Sequence, residues 1–140
     1  MHTHNVPLIY ALSTPDIYHP EDRPSILRTL AYYLVKLVAG SAQKECIGIG
    51  EVFQEEGQGR NEDGESGGAG IAWVVYRVGL LTDGDADGKI NGPVRAGVVG
   101  EDGFALALKR RDCARWLVEE VEKGLESPWV MRMPCLWSTT

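Results

Sequence analysis

A phenol and an ammonium four residues apart share one helix face, and Tyr32-Tyr33-Leu34-Val35-Lys36 supplies such a pair. A nearby positive charge favours phenolate, so Tyr32 and Lys36 are candidates for moving a proton to or from a substrate oxygen. The plainer alternative is a wet stripe on a buried helix, which Arg28 continues at the same spacing. Asp16, Tyr18 and His19 form a second group on a proline-marked stretch. His19 suits acid or base work near neutral pH, although a lone loop histidine is often an ordinary surface residue. Ser13, just upstream, can donate a hydrogen bond to a substrate oxygen. Arg77 and Asp83 carry opposite charges at either end of a short segment. They either orient a charged substrate or form a structural ion pair.

These groups need elements to hold them. Leu8-Ile9-Tyr10-Ala11-Leu12 is an apolar run without alternation, as expected of a parallel strand covered on both faces. Asp16 and His19 then fall on the loop past its carboxyl end, where open α/β sheets place their sites. A helix is predicted from Ser25 to Ala39, stopped by Gly40, with Arg28, Tyr32 and Lys36 as its polar stripe. Nearly everything else on it is apolar, so it requires cover from its own domain or a second chain. A second helix is predicted over Gln43–Gln54, weakened by Gly48 and Gly50. Glu55–Gly70 reads as a mobile, Gly-rich acidic loop. Ile71–Val78 is the clearest strand, and Val94–Val99, Phe104–Leu108 and Trp129–Met133 are shorter candidates. Arg110–Lys123 reads as an amphipathic helix with Ala114, Leu117 and Val121 on one face and Gly124 as its stop.

Several stretches, in order, resemble the later half of NmrA-like NAD(P)H-binding proteins, which are atypical short-chain dehydrogenases. Ala11-Leu12-Ser13-Thr14-Pro15 resembles the strand end that lies beside the nicotinamide, and Ile49-Gly50-Glu51-Val52 the helix before the sixth strand. Ile71 to Gly84 is similar to the family's strand-six segment feeding the substrate pocket. Lys109-Arg110-Arg111-Asp112-Cys113-Ala114-Arg115-Trp116-Leu117 resembles a later helix start, and Trp129 to Leu136 the family's end. The resemblance implies an α/β, truncated Rossmann-like domain over residues 1–140, a partial parallel sheet with flanking helices. It also implies substrate contacts from Ser13, Arg77, Leu80 and Thr82, and Tyr18 is expected to join them from the loop past the Leu8 strand. The departures are the missing Gly-rich corner that would hold the pyrophosphate on a helix amino terminus, Val78 for the usual proline and Lys109 for the usual capping residue. The Gly57-Gln58-Gly59 and Gly67-Gly68-Ala69-Gly70 stretches follow no apolar strand and do not replace that corner. Without the early strands, the Leu8 strand becomes an open edge of the kind that recruits another chain, so a homodimer is expected.

Composition narrows the functions further. The 140 residues carry a net charge of −6, which disfavours a nucleic-acid partner. The longest apolar run, Ile26–Ala39, is too short and too charged for a membrane span. Cys46, Cys113 and Cys135 form no CxxC pair, so neither a zinc site nor a disulfide framework is indicated, and a reducing cytoplasmic location is expected. Asp83-Gly84-Asp85-Ala86-Asp87-Gly88 lacks the late glutamate of a calcium loop. The leading expectation is a cofactor-independent enzyme performing acid/base isomerisation, cyclisation, dehydration or rearrangement of a small hydrophobic or aromatic metabolite. Its acid/base candidates are His19, Asp16, Tyr32 and Asp83. The alternatives are an NAD(P)H-dependent reductase, or a fragment of one, and a non-catalytic regulatory protein.

Overall fold

Strand β1 (Leu8–Ser13) lies parallel to β2 (Ala72–Val78), and helix α1 (Ile26–Gln58) lies between them in the chain. The computed structural model describes residues 8–58, 72–83 and 93–138. Beyond β2 come β3 (Leu80–Thr82), β4 (Val94–Gly97), β5 (Ala107–Lys109), helix α2 (Arg110–Lys123) and β6 (Cys135–Ser138). The main sheet runs β1-β2-β6-β4, with β6 parallel to β2 and β4 antiparallel to β6, while β3 and β5 form a separate parallel pair. The fold is therefore mixed α/β. Among the described residues β1 pairs on one side only and forms a sheet edge.

The lack of alternation in β2 has its expected cause, which is cover on both faces. Trp73 and Val75 pack with Ile17, Met133, Ile47 and Phe53 beneath the second half of α1. Tyr76 and Val78, on the opposite face, pack with Leu108, Trp116 and Leu136 under α2. Arg77 shares the α1 face and is fully buried. No described helix is long and apolar enough to cross a membrane.

Four sequence expectations shift. The two predicted helices merge into α1, and the break at Gly40 becomes a kink at Ala39, where φ is −142° and ψ is 39°. Helix α1 also reaches Gln58, taking the first residues of the Glu55–Gly70 segment, while 59–70 lie outside the described residues. The last strand starts at Cys135 rather than Trp129, because Ser127–Arg132 closes on itself as turns and Met131 takes a left-handed φ of 61°. Likewise the strand after β4 begins at Ala107, since a turn from Glu101 to Phe104, with Gly103 at φ 81°, occupies the residues before it.

Helix α2 keeps its predicted bounds but rotates its buried face. Asp112, Trp116 and Glu120 turn inward, whereas Ala114 and Val121 are exposed. Trp116 carries the largest apolar surface on the helix and packs against Tyr76, with ring centroids 6.0 Å apart. Glu120 follows it inward only because its carboxylate is satisfied by Ser127 Oγ at 2.5 Å and Lys123 Nζ at 2.6 Å.

Candidate functional site

A charged side chain in an apolar strand must find a counter-charge, and Arg77 finds Asp22. The contact is bidentate: Arg77 Nη1 donates to Asp22 Oδ2 at 2.5 Å and Nη2 to Oδ1 at 2.9 Å. Arg77 also donates from Nε to the Met133 carbonyl at 2.9 Å and from Nη1 to the Ile17 carbonyl at 3.2 Å. The Asp22 carboxylate is 1% exposed and accepts further hydrogen bonds from the backbone N–H groups of His19 and Val99, each at 3.1 Å. This hub ties the loop after β1 across the carboxyl end of β2 and the amino end of β6. Arg23 N–H, donating to the Val99 carbonyl at 2.8 Å, adds a second tie. The buried Cys135 thiol beside the hub is pushed up to about 12, first by burial, with Arg77 pulling it down and Asp22 pushing it up.

An open cavity of about 230 Å³ lies at the edge of this hub, lined by Asp16, Arg28, Thr29, Tyr32 and Tyr33. It forms where the loop past β1 meets the first turns of α1. Ser25 starts that helix, its Oγ accepting from the Arg28 N–H at 3.3 Å, so the lining residues rise on successive turns. Asp16 is fixed by Gln43, whose Nε2 donates to Oδ2 at 2.5 Å and reaches the Tyr32 carbonyl at 3.3 Å. Lys36 Nζ lies over the Tyr32 ring, 5.6 Å from its centroid, and Tyr33 meets the same ring edge-on at 5.4 Å. Arg28 joins cavity and hub, its Nη1 3.4 Å from Asp22 Oδ2. The result is one carboxylate, one guanidinium, one hydroxyl and two phenols around a single opening.

Asp16, Tyr32 and Lys36 thus come together. The other expected residues are placed elsewhere. Ser13 is buried and donates from Oγ to the Cys46 carbonyl at 2.8 Å, anchoring β1 to α1. Tyr18 projects outward, and its carbonyl accepts from Gln54 Nε2 at 3.2 Å. His19 Nδ1 accepts from the Glu21 N–H at 3.4 Å and does not line the cavity. Arg77 is enclosed in the hub, in keeping with its structural alternative. Leu80 and Thr82 belong to the β3–β5 pair, and Asp83 pairs with Arg110 at the exposed start of α2. The acidic turn from Gly84 to Gly88 lies outside the described residues.

Sequence reasoning missed Asp22, Thr29 and Gln43 and gave Arg28 only to the stripe. One signal was present for Asp22: an arginine inside the run from Ile71 to Val78 requires a buried acid.

No family model matches the chain, and no curated protein or solved structure matches it either. The dinucleotide implied by the family resemblance has a physical requirement that the described corners do not meet. Diphosphate binding needs backbone N–H groups presented by a glycine turn at a helix start. Here β1 runs into Ser13-Thr14-Pro15, and no glycine occurs before Gly40. At the second corner β5 passes directly into α2, Lys109 to Arg110, with no glycine turn between them.

Proposed function

We propose that this chain is an α/β enzyme on a partial Rossmann-like scaffold, related to the substrate-side half of NmrA-like proteins, which moves protons on a small ring-bearing metabolite without a nucleotide. The observation that carries this reading is the cavity that brings Asp16, Arg28 and Tyr32 to one opening past the end of β1. In the proposed reaction Asp16 takes a proton from a carbon beside a carbonyl, and the Tyr32 hydroxyl donates one to the developing oxyanion to give the enol. Lys36 over the ring stabilises the phenolate that remains. Asp16 then returns its proton to carbon while the phenolate retakes the enol proton, which restores both groups. Arg28 has five N–H donors, so it can orient a substrate oxygen while still touching Asp22. The volume lies below the roughly 300–1,000 Å³ of drug-sized sites, which suits a single ring.

The test is proton exchange. The protein is incubated in D₂O, without nucleotide, with a panel of cyclic enolisable ketones and β-hydroxy ketones, and the α-protons are followed by NMR. Exchange above buffer is expected with the native chain, lost in Asp16→Asn and reduced in Tyr32→Phe at unchanged melting temperature. No exchange across the panel, or turnover that appears only with NADPH, overturns the reading. A second reading, a non-catalytic binding protein, is favoured by the large apolar face exposed on α1.

A further inference from the structure

The first half of α1 is turned inside out. Its least exposed residues are Arg28, Ala31 and Tyr32, which face the loop past β1. Its apolar residues face away from the body: Ile26 is 90% exposed, Leu37 84%, Leu30 68% and Tyr33 63%. Amphipathic helices normally bury the apolar stripe, so a helix that buries the polar one is built to be covered from outside.

The spacing of these four residues specifies the cover. Ile26, Leu30, Tyr33 and Leu37 follow steps of four, three and four, the seam of a helix pair, and Leu27 and Leu34 flank it seven residues apart. Together these six side chains expose roughly 900 Å², against the ~800 Å² each partner gives to a standard interface. The seam is also self-complementary when run antiparallel about a two-fold axis. Ile26 then meets the partner's Leu37, Leu30 meets the partner's Tyr33, and Leu27 meets the partner's Leu34. On the other flank Thr29 meets the partner's Lys36. Between Ile26 and Val38 there is no acidic residue, and this register brings neither Arg28 nor Lys36 against its own copy.

We propose that a second copy of this chain covers α1 through this antiparallel seam. Tyr33 and Thr29 line the cavity, so the partner's Leu30 and Lys36 close its rim. The inference stands on the exposed stripe and not on the proposed chemistry.

Light scattering after size exclusion is the test. At tens of micromolar the native chain is expected at twice its 15.3 kDa, and Leu37→Glu at 15.3 kDa with an unchanged circular dichroism spectrum. Val118→Glu, on the exposed side of α2, is expected to remain a dimer. Register is read separately: in a chain whose Cys46 and Cys113 are replaced by serine, Ile26→Cys and Leu37→Cys mixed together are expected to cross-link on oxidation, each alone not. A native mass of 15.3 kDa at all concentrations, which would assign the face to a different partner, overturns the proposal. So does a Leu37→Glu dimer, or cross-linking of either added-cysteine variant by itself.

Discussion

Removing the Asp22 carboxylate should cost this chain a large share of its stability. In Asp22→Ala, Arg77 keeps its hydrogen bonds to the Met133 and Ile17 carbonyls but loses both bonds to its counter-ion while 0% exposed. Breaking a buried pair on one side costs about 3–5 kcal/mol, because the remaining charge stays desolvated. The Val99 N–H, which donates to the same carboxylate inside a fully buried residue, loses its acceptor and adds to that cost. Domains are stable by about 5–15 kcal/mol, so the variant approaches the threshold of folding. With a urea slope of about 2 kcal/mol/M, a loss of 4 kcal/mol lowers the unfolding midpoint by about 2 M. The double variant Asp22→Leu/Arg77→Met should regain much of the loss, since the fully buried Arg77 charge is gone and Arg28 can turn to solvent. Equilibrium urea unfolding of the native chain, Asp22→Leu, Arg77→Met and the double variant closes the cycle, with Asp22→Ala measured beside it. A loss below about 1 kcal/mol for Asp22→Ala, or strictly additive single effects, would refute the account of the hub as one coupled unit.

Two glycines of α1 should respond in opposite directions to alanine. Gly48→Ala should stabilise by up to about 1 kcal/mol, because a Cβ there meets nothing and alanine is the better helix former. Gly50→Ala should destabilise, because its Cβ would collide with Ile17 Cδ1 and crowd Met133 Cε in the core, and thermal melts of both variants decide the sign. Leu108→Ala should cost about 2–5 kcal/mol in urea unfolding, as it opens a cavity at a side chain with no exposed surface. For Cys135, the folded state holds its proton up to about 12 whereas the unfolded thiol releases it near 9.0. The folded form therefore binds the extra proton between those values, and stability falls as pH rises through that window, by about 1.4 kcal/mol per pH unit from this group. Urea midpoints at pH 8.5, 9.5 and 10.5 should fall more steeply for the native chain than for Cys135→Ala, and equal slopes would contradict the assignment.

How much of this was legible beforehand depended on how local the signal was. Strand β2 and helix α2 came out within a residue of their ends, because apolar runs and a stopping glycine are local facts. The buried face of α2 did not. Periodicity placed Ala114, Leu117 and Val121 inside, but Glu120 can be buried only beside Ser127, a tertiary fact. Helix α1 was read as two because Gly40 is a usual stop, yet packing of the second half on β1 and β2 carries the helix through at the cost of a kink. The pairing of Tyr32 with Lys36 follows from helix spacing and was visible. Asp16 was named from its place past β1, but its partner Gln43 lies 27 residues away and no local pattern links them.

The position of the cavity follows from what happens at the middle of the sheet. In open α/β folds the ligand normally sits beyond the carboxyl ends of the central strands. Here that place is filled by the protein itself: Arg77 stands at the end of β2, and Asp22 and the Ile17 carbonyl are folded down onto it. Among the described residues that loop fills the place, and an opening lies where the same loop meets α1. That helix buries its polar side against the loop and leaves its apolar side bare. The residues able to hold a ligand and the residues able to hold a second copy therefore lie on opposite faces of the same few turns. On the proposed dimer, covering one face is expected to rigidify the other, because Thr29 and Tyr33 sit at the border of both. Ligand affinity at Asp16 and Arg28 should accordingly rise with protein concentration through the dimerisation range, and an affinity independent of concentration would separate the two faces.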